Sequence, residues 1–177
     1  MPRRVELPSH LAARAFSTAE ARREGVGDGR LRGRDLARPF HGVRSAYAPS
    51  DVLDRCRTYL PRLRSGQFFS HDTAALLWGI PLPGDLDSDA PLHVSSFAPN
   101  RPPRTRGVVG HELRTGTARV IDRRGLPVAD AVSTWVQLAG HAFAACTVLR
   151  QSSRIASSPS LGSRGRTVPH RRREGPR

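Results

Sequence analysis

The chain reads as an α+β protein: an N-terminal winged helix-turn-helix over residues 1–48, a small domain of helices and antiparallel sheet over residues 49–140, and a disordered tail over residues 141–177. Three observations predict this. Helix start and stop signals recur in short segments ahead of a turn signal at His41-Gly42. Short runs of strand composition, Leu92–Ser96, Gly107–Leu113 and Ala118–Asp122, crowd together after residue 90. From His141 onward, eight Arg and six Ser stand against one acid, Glu174, a net +7 with no helical or strand period. Such a segment buries too little apolar surface to order itself.

Taken in order, Leu7–Phe16 predicts a first helix, with Pro8 near its first turn and Leu7, Leu11 and Ala15 at helical spacing. Ser17-Thr18-Ala19-Glu20 is a capping box opening a second helix that ends at Gly25. A third helix is expected from Asp28 to about Asp35, with Gly27 in the cap position, and Leu36–Tyr47 reads as a hairpin turning at His41-Gly42. On this reading the third helix is a recognition helix, and Arg30, Arg32 and Arg34, with Arg38 and Arg44 on the wing, are the candidate contacts to double-stranded DNA. Residues 1–44 hold ten Arg against five acids, a net +5, which a solvated surface on a structural domain would also explain. Gly29 and Gly33 inside that helix each cost about 0.8–1 kcal/mol relative to Ala, which argues for loose binding.

From Pro49 a fourth helix is expected, with Val52, Leu53, Cys56, Tyr59 and Leu60 on one side and Pro61 at its end. The run Phe68–Pro83 has no basic residue. Ser70 stands at its N-cap position, Asp72 in its first turn, and Gly79 and Pro81 supply the stop, so it predicts a short helix covered on all sides. Burial of Leu76, Leu77, Trp78 and Ile80 would contribute about 1.5–3 kcal/mol each. After a polar loop over residues 82–91 come the three strands, the first two joined by the Pro/Arg loop Asn100–Arg106. Arg123-Arg124-Gly125 is a turn, and Leu126-Pro127-Val128 leads to a capped helix from about Asp130 through Trp135 to Leu138.

The chemistry is bounded by what is missing. The 29 basic residues are all Arg, and without Lys no P-loop lysine, Schiff base or carboxylate-x-lysine nuclease core can be built. Arg without Lys is also the mark of GC-rich coding, yet the +14 charge would attract polyanions whatever its origin. Cys56 and Cys146 read as ordinary thiols. Asp85, Asp87 and Asp89 alternate in a loop but lack the glycine and terminal Glu of a calcium loop. His111-Glu112 has no second His four residues on, and His93 facing His111 across the sheet reads as packing. The His71-Asp72 pair reads as cap-region polarity. No catalytic residue, metal ligand or cofactor is therefore assigned. No apolar leader and no apolar run of 18 residues is present, so a soluble cytoplasmic protein without membrane partners is expected.

Phe69–Pro83, Arg106–His111 and Gly125–Asp130 through Thr134-Trp135, together with Ala19–Val26, Gly29-Arg30-Leu31 and Arg38–Val43, resemble an actinobacterial family. Its members join an AbiEi-antitoxin-like winged-helix region to a C-terminal domain similar to very-short-patch-repair endonucleases. The resemblance spans residues 6 to about 140, and the nuclease-like half with its acidic metal-binding cluster would begin further along. It implies a DNA-binding regulatory protein without catalysis, of the type IV toxin–antitoxin kind, with a cognate toxin protein as partner. It leaves the oligomeric state open. The abrupt change in composition after Gly140 is expected for a family member truncated or read out of frame; a real basic tail that holds nucleic acid electrostatically is the competing reading.

Overall fold

The computed structural model describes residues 6–82 and 90–140, all within one compact unit that spans residues 1–141. The carboxy-terminal tail, Cys146 and the alternating aspartates Asp85, Asp87 and Asp89 lie outside the described residues.

The amino-terminal elements follow local sequence chemistry, with shorter bounds than their periodicity predicts. Helix α1 is Ser9–Ala12, and Phe16, expected within it, instead lies in strand β1, Phe16–Ser17. Helix α2, Thr18–Arg23, has its full capping box: the Ser17 hydroxyl accepts from the Glu20 amide while the Glu20 carboxylate reaches back to the Ser17 amide. Gly25, at φ +81°, closes it, and the Val26 amide donates to the Ala21 carbonyl at 2.9 Å.

Helix α3 corrects the expectation of a two-turn segment. It covers only Asp28–Leu31. Gly33 weakens the continuation, and the chain turns there so that the Arg30 guanidinium can span to Asp35; a Cβ at Gly33 would lie 2.5 Å from Asp35 Oδ1 and 2.8 Å from an Arg30 nitrogen. The ribbon that follows is closed by paired bonds between Ala37 and Ser45, 2.8 and 3.2 Å, with its turn at His41-Gly42. Its strand β2, Val43–Arg44, pairs antiparallel with β1.

Helix α4, Val52–Tyr59, is capped by the Asp51 carboxylate, which accepts from the Asp54 amide at 2.7 Å, and passes into a 3-10 turn at Leu60–Arg62. Strand β3, Gln67–Phe69, is buried at every position, so no alternation marks it in the sequence. Helix α5, His71–Trp78, ends at Gly79 in the left-handed conformation. It departs from expectation twice. Ser70 occupies the N-cap position, but its side chain makes no capping bond, and Leu76 is exposed, so the helix is not covered all round. Its far end is anchored by Trp78 Nε1, which donates to the Ala129 carbonyl at 2.9 Å, and by the Arg123 guanidinium 4.0 Å over the Trp78 ring.

Strands β4, Leu92–Phe97; β5, Val108–Leu113; β6, Val120–Arg123; and β7, Leu126–Ala129, join β3 in a five-stranded sheet of order β5-β4-β3-β7-β6. The expectation of an antiparallel sheet is corrected: β4 runs parallel to β5, and β3 parallel to β7. The reason lies in the Asn100–Arg106 loop. Instead of a tight turn it carries the chain back along β5, where the Pro103 carbonyl lies so close to Gly110 that a Cβ there would come within 2.3 Å. Six strand residues span about 20 Å, a distance that a proline-stiffened connection of this length covers without a helix. Strands β6 and β7 form a tight hairpin at the expected turn, with both Arg124 and Gly125 at positive φ, so Leu126-Pro127-Val128, expected only to lead into the last helix, is itself a strand.

One apolar core serves the sheet and the amino-terminal ribbon together. Ala15, Phe40 and Val43 pack with Tyr59, Phe68, Phe69, Leu92, Val94 and Val128, and the rings of Phe40 and Tyr59 meet edge-on at 4.9 Å. A smaller cluster of Leu11, Phe16, Ala21, Val26, Leu31 and Leu36 holds the short helices. Cys56 is buried in the main core, and burial pushes its thiol up to about 12, which makes it an inert thiol.

The last described helix, α6, covers residues 131–140. Asp130 caps it, accepting from the Ser133 amide at 2.7 Å, and the Ser133 hydroxyl and amide hold the carboxyl below the usual carboxylate range. A carboxyl with a depressed folded pKa stabilises fully above its unfolded value, and that contribution is lost as pH falls through the folded value. Asp130→Ala is therefore expected to cost about 0.5–2 kcal/mol at neutral pH and less in acid; equal destabilisation in melts at both pH values would contradict this role.

Candidate functional site

The arginines singled out from the sequence separate in the structure. Arg30 turns inward: its guanidinium nitrogens donate to both Asp35 oxygens at 3.2 and 2.9 Å, and its side chain is only 11% exposed. Arg32 and Arg34 are exposed on the turn after α3. Arg38 and Arg44 converge on one concave surface of about 790 Å³, which Arg22 and Arg106 also line, together with Thr18, Pro39, Phe40, His41, Gly42 and Gly107. No carboxylate lies in that lining. Arg30, Arg32 and Arg34 are not part of it.

The local fold explains why Arg44 stays there. Its Nε donates to the Leu31 carbonyl at 2.8 Å, and a terminal nitrogen donates to its neighbour's carbonyl at Val43, also at 2.8 Å. Burial first, and then the charges of Arg38 and Arg22, hold its guanidinium below the usual arginine value. It remains charged, as guanidinium groups do in proteins. Like charges are thus crowded on one face, where an anion would relieve them. Arg38 is exposed and donates to the Arg32 carbonyl at 3.0 Å, and Arg22 pairs with Asp28 at 2.8 Å.

A second basic hollow of about 420 Å³ is lined by Arg62, Arg64, Arg101 and Arg104, with Tyr59, Gln67, Pro102, Pro103, Thr105 and Glu112. The two meet at the ribbon turn, because a Cβ on Gly42 would lie 3.5 Å from an Arg62 nitrogen. Arg106 and the Pro/Arg loop were legible only as a basic connection; their place beside the ribbon depends on the return of that loop along β5.

The other assembly of polar groups lies on the sheet face beneath the start of α5. His71, His93 and His111 each present a ring nitrogen, and the three atoms lie within 4.8 Å of one another. The His93–His111 juxtaposition was expected from the sequence; His71 joins them because α5 begins over β4. Ser70 Oγ contacts His71 Nδ1 at 3.0 Å and accepts from Ser95 Oγ at 2.7 Å, which explains why Ser70 does not cap its helix. The capping is done from α6 instead, where Gln137 Oε1 accepts from the His71 amide at 3.0 Å. Gln137 Nε2 is buried with no hydrogen-bond partner among the described residues.

Set against family models, curated proteins and solved structures, the chain gives no match. Among the described residues no helix is long and apolar enough to cross a membrane.

Proposed function

We propose that this chain is a regulatory DNA-binding protein acting by binding alone, of the kind the AbiEi-type antitoxins exemplify, with its amino-terminal segment working as a winged helix-turn-helix. The observation that carries the reading is the carboxylate-free concave surface lined by Arg22, Arg38, Arg44 and Arg106. Phosphates are the ligand that suits it: several guanidinium groups on one face neutralise a backbone charge repeated along a duplex and release its counterions. The winged-helix reading is supported by chain order, since β1 lies between α1 and α2 and pairs with the ribbon after α3. The single-turn α3 offers few base contacts, so positioning on the phosphate backbone outweighs sequence reading. A cognate toxin protein is part of the proposal through the resemblance of the sequence to that family.

The test is the salt dependence of duplex binding by the full chain. Arg22→Ala, Arg38→Ala and Arg106→Ala together are expected to weaken binding and to flatten the log–log salt slope by about 2.7, at about 0.9 per phosphate contact. Arg30→Ala is expected to leave the slope unchanged, because that side chain is buried against Asp35 and does not line the surface, whereas Arg22, though paired with Asp28, is exposed and lines it. An unaltered slope in the triple variant would reject this surface.

A second reading, a protein-interaction module, is favoured by one observation. Val132, Trp135 and Val136, at helical spacing on α6, are 72%, 59% and 64% exposed. It predicts that duplex binding has no dependence on the arginine-lined surface at all.

A further inference from the structure

We propose that His71, His93 and His111 form a binding site for a late first-row divalent cation, with zinc as the best match. The proposal is independent of DNA binding and rests on the geometry of the three rings. His93 Nδ1 and His111 Nε2 stand 3.3 Å apart. Two nitrogens bound at about 2.0–2.1 Å to one tetrahedral centre are about 3.3 Å apart, so this pair already spans one edge of a zinc coordination shell. The third ring nitrogen, from His71, lies within 4.8 Å of both, a separation that a modest turn of the rings closes. His71 and His111 are now stacked, centroids 3.8 Å apart and planes at 18°, and coordination would tilt that stack so that both lone pairs point at one centre.

The surroundings also suit ligands. His93 has its other nitrogen, Nε2, 3.7 Å from the Asp72 carboxylate, and His71 has Nδ1 against Ser70 Oγ. A ligating imidazole commonly has its far nitrogen held by a hydrogen-bonding partner, which fixes the ring and raises its basicity; at 3.7 Å Asp72 is an ion-pair neighbour of His93 that a small shift would bring into hydrogen-bond range. His71 and His93 are only 5% and 8% exposed, while His111 is half-buried on the edge strand β5. His71 also carries a backbone φ of +48°, in the left-handed region, at the first residue of α5. A non-glycine residue there costs about 1–3 kcal/mol, and strain of this kind collects at functional sites.

The donor set selects the metal. Three neutral nitrogens with no carboxylate among the ligand atoms suit zinc, nickel, copper or iron and disfavour magnesium and calcium, which need oxygen donors. Three protein ligands leave a fourth coordination position for solvent or a small anion. Because the ligands come from α5, β4 and β5, a bound ion would clamp the helix to the sheet edge.

The test is titration of the chelator-treated full chain with Co²⁺, followed by its visible d–d absorption, and with Zn²⁺ by calorimetry. One equivalent is expected to bind, to give a four-coordinate Co²⁺ spectrum displaced by Zn²⁺, and to raise the melting temperature. His93→Gln and His111→Gln are each expected to lose at least about 100-fold in affinity, and Asp72→Asn, which removes the carboxylate behind His93, about tenfold. His71→Asn should lose binding likewise, and it keeps a residue type that tolerates positive φ, so its fold is preserved. His10→Gln with His41→Gln, and Cys146→Ser with His141→Gln and His170→Gln, should bind as the parent does. If His93→Gln does not fold, His111→Gln on the edge strand and His71→Asn decide the matter, with their metal-free melting curves as the check on folding. Absence of a one-to-one complex, binding only at millimolar metal, or parental affinity in folded His111→Gln and His71→Asn would overturn the proposal.

Discussion

Phe69→Ala is expected to lower stability by about 3–5 kcal/mol, the range for removing a fully buried aromatic ring from a core that cannot collapse around the gap. Phe69 is fully buried on the central strand β3, paired in register with Val94 on one side and Val128 on the other. Its ring also meets that of Tyr59, centroids 6.4 Å apart, so the cavity would open between the sheet and α4. Domains of this size are stable by about 5–15 kcal/mol, so the variant should lose a fifth or more of its margin. Phe69→Leu keeps most of the volume and is expected to cost well under half as much. Urea unfolding of the two variants against the parent measures this; a loss below about 1 kcal/mol in Phe69→Ala would mean that β3 is not the centre of the core.

The position of Phe69 also shows where sequence reasoning reaches its limit. Features fixed within a few residues were legible: the Ser17–Glu20 capping box, the Gly79 stop, the Arg124-Gly125 turn and the mixed helix-and-sheet composition. Strand β3 was not, because three consecutive buried residues carry no period of two, and they directly precede a helix with the same apolar character. The parallel pairing of β4 with β5 was hidden for another reason. It depends on which way a proline-rich connection travels, which periodicity does not encode. Arg30 looked like its neighbours Arg32 and Arg34 because charge is visible in sequence and its satisfaction by Asp35 is not. The histidine cluster divides in the same way: His93 and His111 fall on adjacent strands and could be paired on paper, whereas His71 reaches them only through the placement of α5.

The Pro/Arg connection offers the second large effect, because Gly110→Ala places two opposing contributions on one atom. Alanine in place of glycine inside a strand ordinarily stabilises by about 0.5–1 kcal/mol through lower unfolded-state entropy. Here the added Cβ would lie 2.3 Å from the Pro103 carbonyl oxygen and 3.0 Å from Pro102 Cβ, and neither a backbone carbonyl nor a proline ring can swing aside like the end of a flexible side chain. Overpacking of this kind costs about 1–3 kcal/mol and more where backbone must move, so the clash wins and net destabilisation is expected. Gly29→Ala supplies the contrast, since nothing lies within 4 Å of its would-be Cβ and the same exchange in α3 should stabilise by about 0.8–1 kcal/mol. The displaced segment carries Arg101 and Arg104 over the second basic hollow and leads to Arg106 beside Arg38. Gly110→Ala should therefore also weaken duplex binding while leaving every charge in place. Thermal melts and duplex titrations of the two glycine variants separate the effects: if Gly110→Ala is as stable as the parent, the loop does not lie against β5, and Arg106 does not belong to the proposed surface.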